Sequence, residues 1–135
     1  MELLKVWFAT FVSFMALDML WLGVIMKKFY HEQMGDLLRK SAGNLSPNWL
    51  AAILLYVIMV AGLVVFVLPR LNASMPWWEM FGWGFFYGIV LYSVYDLTNF
   101  AILKNWPLSL TIVDLIWGGL IFGISTLIMF KISNF

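Results

Sequence analysis

The chain of 135 residues contains no cysteine, only one histidine, and only eight basic and seven acidic side chains. The absence of cysteine excludes a disulfide framework, a thiolate nucleophile and a cysteine-based metal site. Charged residues make up 11% of the chain, whereas an ordinary soluble domain has about 25%. So few charges cannot cover a water-exposed surface, and a soluble globular protein is therefore excluded.

Apolar side chains make up most of the sequence. The chain is 64% hydrophobic, contains eight Trp and twelve Phe, and has a mean hydropathy of +0.94. This composition is typical of an integral membrane protein, whose direct partners are membrane lipids. The net charge of +1 and the lack of a basic patch interleaved with aromatic residues argue against a nucleic-acid partner.

Four apolar segments are each long enough to cross a bilayer, which takes roughly 20 residues. They lie at about 3–26, 49–68, 77–103 and 107–130. The fold class predicted is all-α: a single domain over residues 1–135, an up-and-down bundle of four transmembrane helices. The first segment begins like a signal peptide, but Asp18 interrupts it and no small-residue cleavage site follows. We therefore predict that this helix is retained.

The first loop, 27–48, carries a helical pattern of its own. Its apolar residues fall near helical spacing, with charged residues between them. The pattern predicts a short interfacial helix that ends near Gly43, and a partly ordered loop is the alternative. His31, which has no spaced metal-binding partner, is interpreted as a surface residue.

Lysine, arginine and tryptophan predict how the bundle is oriented. The first and third loops carry five Lys or Arg residues, and the termini with the second loop carry three. This weak bias favours both termini outside the cytoplasm. Trp49, Trp77, Trp78 and Trp106 lie where an aromatic belt at the membrane surface is expected.

Three aspartates interrupt the apolar segments and are the main indication of function. A carboxylate in the middle of a membrane helix costs about 2.5–3.5 kcal/mol on insertion scales, so it normally faces the bundle interior. At 1.5 Å per residue, Asp18, Asp96 and Asp114 all lie roughly 10–12 Å from the membrane face that carries the first loop. We predict that they share one layer, point into a single cleft open toward that face, and keep at least one proton among them.

Helical spacing places polar, aromatic and small residues beside these carboxyls. The predicted binding residues are Asp18, Asp96, Asp114, Asn99, Tyr92, Thr98, Trp21, Trp117 and Thr111. The second span, in which Tyr56 is the lone polar contributor, is interpreted as a structural wall. Glycine pairs four residues apart on the third and fourth spans predict close helix packing.

A short pattern, Asp-x-x-Trp, occurs on both the first and the last span, at Asp18 and Asp114. We interpret this as recurrence of a local motif, which does not by itself establish an internal duplication.

The chemistry of the aspartate layer stays open at this point. Carboxylates with Asn99 and threonine oxygens would suit a hard cation such as Mg²⁺ or Ca²⁺. No metal motif or cofactor fingerprint is present, so no metal ligands are assigned and the cofactor stays unknown. Three interpretations remain. The first is a pocket that binds a small molecule, lipid or cation, with transport as one use. The second is a membrane-embedded enzyme acting on a lipid, in which Asp18, Asp96 and Asp114 serve as acid–base or metal-holding groups and Asn99 and Tyr92 position the substrate. The third is a structural polar cluster.

The run TyrAspLeuThrAsn at 95–99, TrpPro at 106–107 and AspLeuIleTrpGly at 114–118, with LeuAspMetLeuTrpLeuGly at 17–23, resembles a known family. The family consists of small bacterial membrane proteins catalogued as a domain of unknown function. The resemblance covers nearly the whole chain. It implies four helices in the bacterial inner (cytoplasmic) membrane and a hydrophobic or lipid-like ligand, and it implies no established reaction. Oligomerisation stays open.

Overall fold

The computed structural model describes residues 2–134. Within this range four helices are long and apolar enough to cross a membrane: Glu2–Ile25, Trp49–Arg70, Trp77–Ile102 and Leu108–Ser133. The predicted all-α, four-helix membrane fold is confirmed, and the helix ends lie within a few residues of the predicted ones.

The first two spans are not regular throughout. Helix α1 (Glu2–Leu20) continues into a π turn at Trp21–Ile25. Helix α2 (Lys27–Met34) follows it in the first loop. In the second span, helix α3 (Trp49–Gly62) continues into a π turn at Leu63–Val67 and then a 3₁₀ turn at Leu68–Arg70. Single π turns within α-helices occur frequently at functional sites. The π turn at Trp21–Ile25 contains the predicted binding residue Trp21.

The first loop contains the predicted short helix, but the predicted end near Gly43 was wrong. Helix α2 ends at Met34 because Gly35 adopts a positive φ of 52°. A two-stranded antiparallel hairpin follows, with β1 at Lys40–Ser41 and β2 at Asn44–Leu45. Gly43, with a φ of 78°, lies in the turn of that hairpin, where glycine avoids the steric cost that a side chain would cause.

Helix α2 packs onto the ends of the membrane helices. Its Tyr30 is buried in a small apolar cluster with Trp106 and Leu110. A hydrogen bond from Ser109 Oγ to Gln33 Oε1, 2.6 Å long, adds a polar contact between α2 and the last span. The first loop therefore covers the bundle end on its own side of the membrane, which we call the loop side.

Helices α4 (Trp77–Ile102) and α5 (Leu108–Ser133) form the closest pair in the bundle. Gly88 lies directly against the backbone carbonyl of Gly118, and Gly84 lies against Thr126. On the other side of the contact, Gly119 lies under the ring of Phe85. The glycines let the two backbones approach, as their spacing predicted.

Three of the four tryptophans predicted to form an aromatic belt lie on the outside of the bundle. Trp49, Trp77 and Trp78 are each more than half exposed on the outside of the bundle. Trp106 is buried instead, and its indole N–H donates to Thr111 Oγ1 at 3.1 Å. The prediction for Trp106 was wrong because the tight turn between α4 and α5 folds its ring back onto the bundle.

Candidate functional site: an intramembrane cavity

A cavity of about 480 Å³ lies between the helices on the loop side of the bundle. All five membrane-associated helices contribute to its lining. The lining residues are Asp18, Leu22, Tyr30, His31, Met34, Leu38, Leu45, Leu55, Tyr56, Ile58, Met59, Tyr87, Leu91, Tyr92, Tyr95, Asp114 and Trp117. All five tyrosines of the chain are among them. The cavity is therefore an apolar and aromatic space into which a few polar groups project.

Asp18 lies at the α1 side of the cavity with both carboxyl oxygens occupied. It is only 4% exposed. Tyr56 Oη donates to its Oδ2 at 2.5 Å, and Trp117 Nε1 donates to its Oδ1 at 3.0 Å. These two donors satisfy a carboxyl that would be costly to bury alone.

Asp114 accepts a hydrogen bond from a residue on the loop side of the cavity. The hydroxyl of Tyr30, on α2, donates to Asp114 Oδ1, and Trp21 Nε1 donates to the same hydroxyl at 3.0 Å. Burial, followed by the negative charge of Asp114, raises the pKa of the Tyr30 phenol above its usual value of 10.0. Tyr30 therefore stays protonated at neutral pH and remains a hydrogen-bond donor to the carboxyl.

The two Asp-x-x-Trp motifs meet at a tryptophan stack. The rings of Trp21 and Trp117 lie face to face, with centroids 4.2 Å apart and planes 3° from parallel. Each indole is linked to the aspartate of the other motif. Trp117 donates a hydrogen bond directly to Asp18, and Trp21 donates to the Tyr30 hydroxyl, which in turn donates to Asp114. The recurrent motif thus joins α1, α2 and α5 into one polar and aromatic network.

Asp96 occupies a different position. It is fully buried, and neither carboxyl oxygen has a hydrogen-bond donor among residues 2–134. Its neighbour is the carboxyl of Asp114. Two adjacent carboxyls cannot both be ionised at low cost.

The cavity opens sideways, between α3 and α4. Leu55 and Ile58 on α3 and Tyr95 on α4 line it and are each more than half exposed on the outer surface of the bundle. Deeper in the membrane the two helices come together, where Tyr87 Oη donates to the carbonyl of Met59 at 3.2 Å. The opening therefore faces the hydrocarbon of the bilayer.

The loop side of the cavity is covered by α2 and the hairpin, which contribute Tyr30, Met34 and Leu45 to its lining. We predicted a cleft open toward the loop side. That prediction is corrected, because α2 packs across the loop side of the cavity. No group of three or more His, Cys, Asp or Glu side chains suited to a metal ion occurs in the described part of the chain.

Comparison with known proteins identifies the family. Residues 3–131 match the profile of the predicted membrane proteins named DUF2177. The chain belongs to this family. No curated protein and no solved structure matches the chain.

The structure of this DUF2177 member brings some of the predicted binding residues together and leaves others apart. Asp18, Asp114, Tyr92 and Trp117 line the cavity, and Trp21 joins them through its stack and its bond to Tyr30. The expectation that all three aspartates point into the cavity is corrected at Asp96, which lies behind Asp114.

The remaining predicted residues lie outside the cavity lining. Thr98 is exposed on α4, and Asn99 lies next to Tyr95. Thr111 accepts the Trp106 indole bond and donates to the carbonyl of Pro107 at 3.3 Å. Its position therefore fixes the turn before α5.

Sequence reasoning missed four tyrosines and a histidine that line the cavity: Tyr30, Tyr56, Tyr87, Tyr95 and His31. The interpretation of His31 as a surface residue is corrected. Its Nδ1 lies 2.8 Å from the carbonyl of Lys27, and its Nε2 is buried without a partner among the described residues. The signal available was the tyrosine content, because four of the five tyrosines fall within apolar spans.

Proposed function

We infer that this protein binds a lipid-like amphiphile inside the bacterial inner membrane, with the ligand's polar end held in the cavity near Asp18 and Asp114. The observation that carries the proposal is a cavity with largely apolar walls, two carboxyls in its lining, and an opening toward the hydrocarbon. Transport of the ligand is one use of such a site.

The side opening supports entry from the bilayer. A water-soluble ligand would approach from the loop side, where α2 and the hairpin lie across the cavity. A lipid diffusing in the membrane reaches the gap between Ile58 and Tyr95 without leaving the hydrocarbon. Its chain can stay in the gap while its polar end passes inward.

The polar groups are positioned in advance. Asp18 is held by Tyr56 and Trp117, and Asp114 is held by Tyr30. Groups fixed in this way lose little conformational freedom when a ligand arrives, which favours affinity. A purely structural role explains these bonds but does not account for the open space beside them.

A membrane-embedded enzyme acting on a lipid is the second candidate. His31 supports it, because its Nδ1 is engaged with the Lys27 carbonyl while its Nε2 is left without a partner. An imidazole nitrogen that lines the same cavity as the two tyrosine–carboxyl pairs has the composition of an acid–base site. Turnover of a lipid that depends on His31 would favour this candidate over simple binding.

The binding proposal predicts that closing the side opening abolishes ligand entry. Ile58→Trp adds bulk at the opening, where the wild-type side chain is 60% exposed, so the fold should tolerate it. Labelling of the cavity residues Met59 and Leu91 by hexadecanol with a mid-chain diazirine should fall at least about fivefold, because the added ring blocks the route. The readout is mass spectrometry of labelled peptides from the full chain.

Leu54→Trp is the matched control. Leu54 lies one helical turn away, is 55% exposed, and does not line the cavity. Its variant should label Met59 and Leu91 like the wild type. Labelling of those residues that Ile58→Trp leaves unchanged would contradict lateral entry, and a wild-type protein labelled only on its outer face would contradict binding altogether.

A further inference from the structure

The cavity lining contains two aspartates and one imidazole, that of His31. Asp18 and Asp114 line it, and Asp96 lies behind Asp114 with no donor. Among residues 2–134, no lysine or arginine lines the cavity. Lys27, Lys28 and other loop cations are exposed on the loop side. Within the described residues, no lysine or arginine therefore pairs with these carboxyls.

Aromatic rings form much of the remaining wall. The side chains that contribute them are Tyr30, Tyr56, Tyr87, Tyr92, Tyr95 and Trp117. The face of an aromatic ring is negative and attracts a cation, most strongly where water is excluded. Cages of such rings are a recurrent way of binding ammonium groups.

We propose that the polar end of the ligand is a cation: a positively charged amine or a quaternary ammonium group carried on a lipophilic body. The inference rests on the proposed binding function and names the ligand's chemical class. The carboxyls supply the negative charge, the tyrosine and tryptophan rings supply cation–π contacts, and the leucine and methionine side chains contact the apolar body.

The same composition discriminates against other lipids. A phosphate or carboxylate head group would come next to Asp18 and Asp114 with no lysine or arginine to pair with it, and like charges brought together in a site of low dielectric constant repel strongly. A neutral alcohol meets no such repulsion, but it gains nothing from the ring faces. Of the three kinds of head group, the cation therefore makes the most favourable interactions with the cavity wall.

A pair of probes of equal shape tests the proposal. One is a hexadecyltrimethylammonium ion with a mid-chain diazirine, and the other is its neutral analogue ending in a tert-butyl group. The full chain is labelled with each in dodecyl maltoside, an uncharged detergent that does not concentrate either probe by charge. We expect the ammonium probe to label Met59 and Leu91 with at least about tenfold higher apparent affinity, the size of a desolvated cation–π and charge contribution.

Variants assign the preference to the carboxyls. In Asp18→Asn/Asp114→Asn the two probes should label with similar affinity. Asp36→Asn removes an exposed carboxylate of the first loop outside the cavity and should keep the wild-type preference. A preference that survives in the double variant would overturn the proposal.

The wild-type protein alone also tests the proposal, so the result does not depend on the folding of a variant. Unlabelled hexadecyltrimethylammonium should displace the photoprobe, whereas hexadecyl sulfate, its anionic counterpart, should not. Equal labelling of the cavity by both probes would refute the proposed preference for a cationic head group but would still support lipid binding. Labelling of the cavity by neither probe would refute the binding function itself.

Discussion

Asp18→Leu is expected to lower the free energy of unfolding by about 1–6 kcal/mol. The substitution leaves one buried and one half-buried donor without an acceptor, and an orphaned buried donor costs about 1–3 kcal/mol. The donors are Tyr56 Oη and Trp117 Nε1. Thermal or denaturant unfolding of the purified protein in detergent measures the change.

A second substitution identifies the cause. Tyr56→Phe removes one of the two orphaned donors, so Asp18→Leu/Tyr56→Phe should be more stable than Asp18→Leu alone by about 1–3 kcal/mol. Additive losses from the two changes would contradict the account, because they would mean that the hydroxyl and the carboxyl act independently.

Asp96→Asn serves as the contrasting variant. Neither carboxyl oxygen of Asp96 accepts a hydrogen bond from another residue among 2–134. Asparagine at this position leaves no donor without its acceptor and can itself donate an N–H to the neighbouring Asp114 carboxyl, so this variant should unfold like the wild type.

Gly88→Leu is expected to be among the most disruptive substitutions in the molecule. Even the first carbon of a side chain at Gly88 would overlap the backbone carbonyl of Gly118, and a backbone atom cannot move aside as a side chain can. Overpacking commonly costs about 1–3 kcal/mol and sometimes more, so we expect Tm to fall by at least about 5 °C. Gly119→Leu should also destabilise, since its side chain would overlap the ring of Phe85.

Gly82→Leu is the matched control for these glycine variants. Gly82 lies on the same helix as Gly88, and a Cβ there meets no atom within 4 Å. Its variant should melt like the wild type. If Gly88→Leu also melted like the wild type, α4 and α5 would not be packed through their glycines.

The predictions that succeeded depended on local pattern. The four spans follow from the length of the apolar runs, and the glycine contact of α4 with α5 follows from residues spaced four apart on helices joined by a tight turn. The inward facing of Asp18 and Asp114 follows from the cost of exposing a carboxyl to hydrocarbon.

The predictions that failed depended on how separate segments pack. Helical spacing places Asp96 on the same face as Tyr92, but only the packing of α4 against α5 decides that Asp96 lies next to Asp114 and outside the cavity lining. The cover over the cavity depends on α2, a short helix whose docking through Tyr30 has no signature in its own sequence. Tyr56 was interpreted as part of a wall because its acceptor, Asp18, lies 38 residues away in the chain.

The central claim is that the cavity holds a lipophilic ligand whose polar end reaches the carboxyls. An experimental structure of the protein in lipid nanodiscs tests it most directly. We predict elongated density that enters between Ile58 and Tyr95 and ends beside Asp18 and Asp114, with α2 closed over the loop side. Closely packed α3 and α4 with no space between them, or any two of the three aspartates facing lipid, would contradict the account.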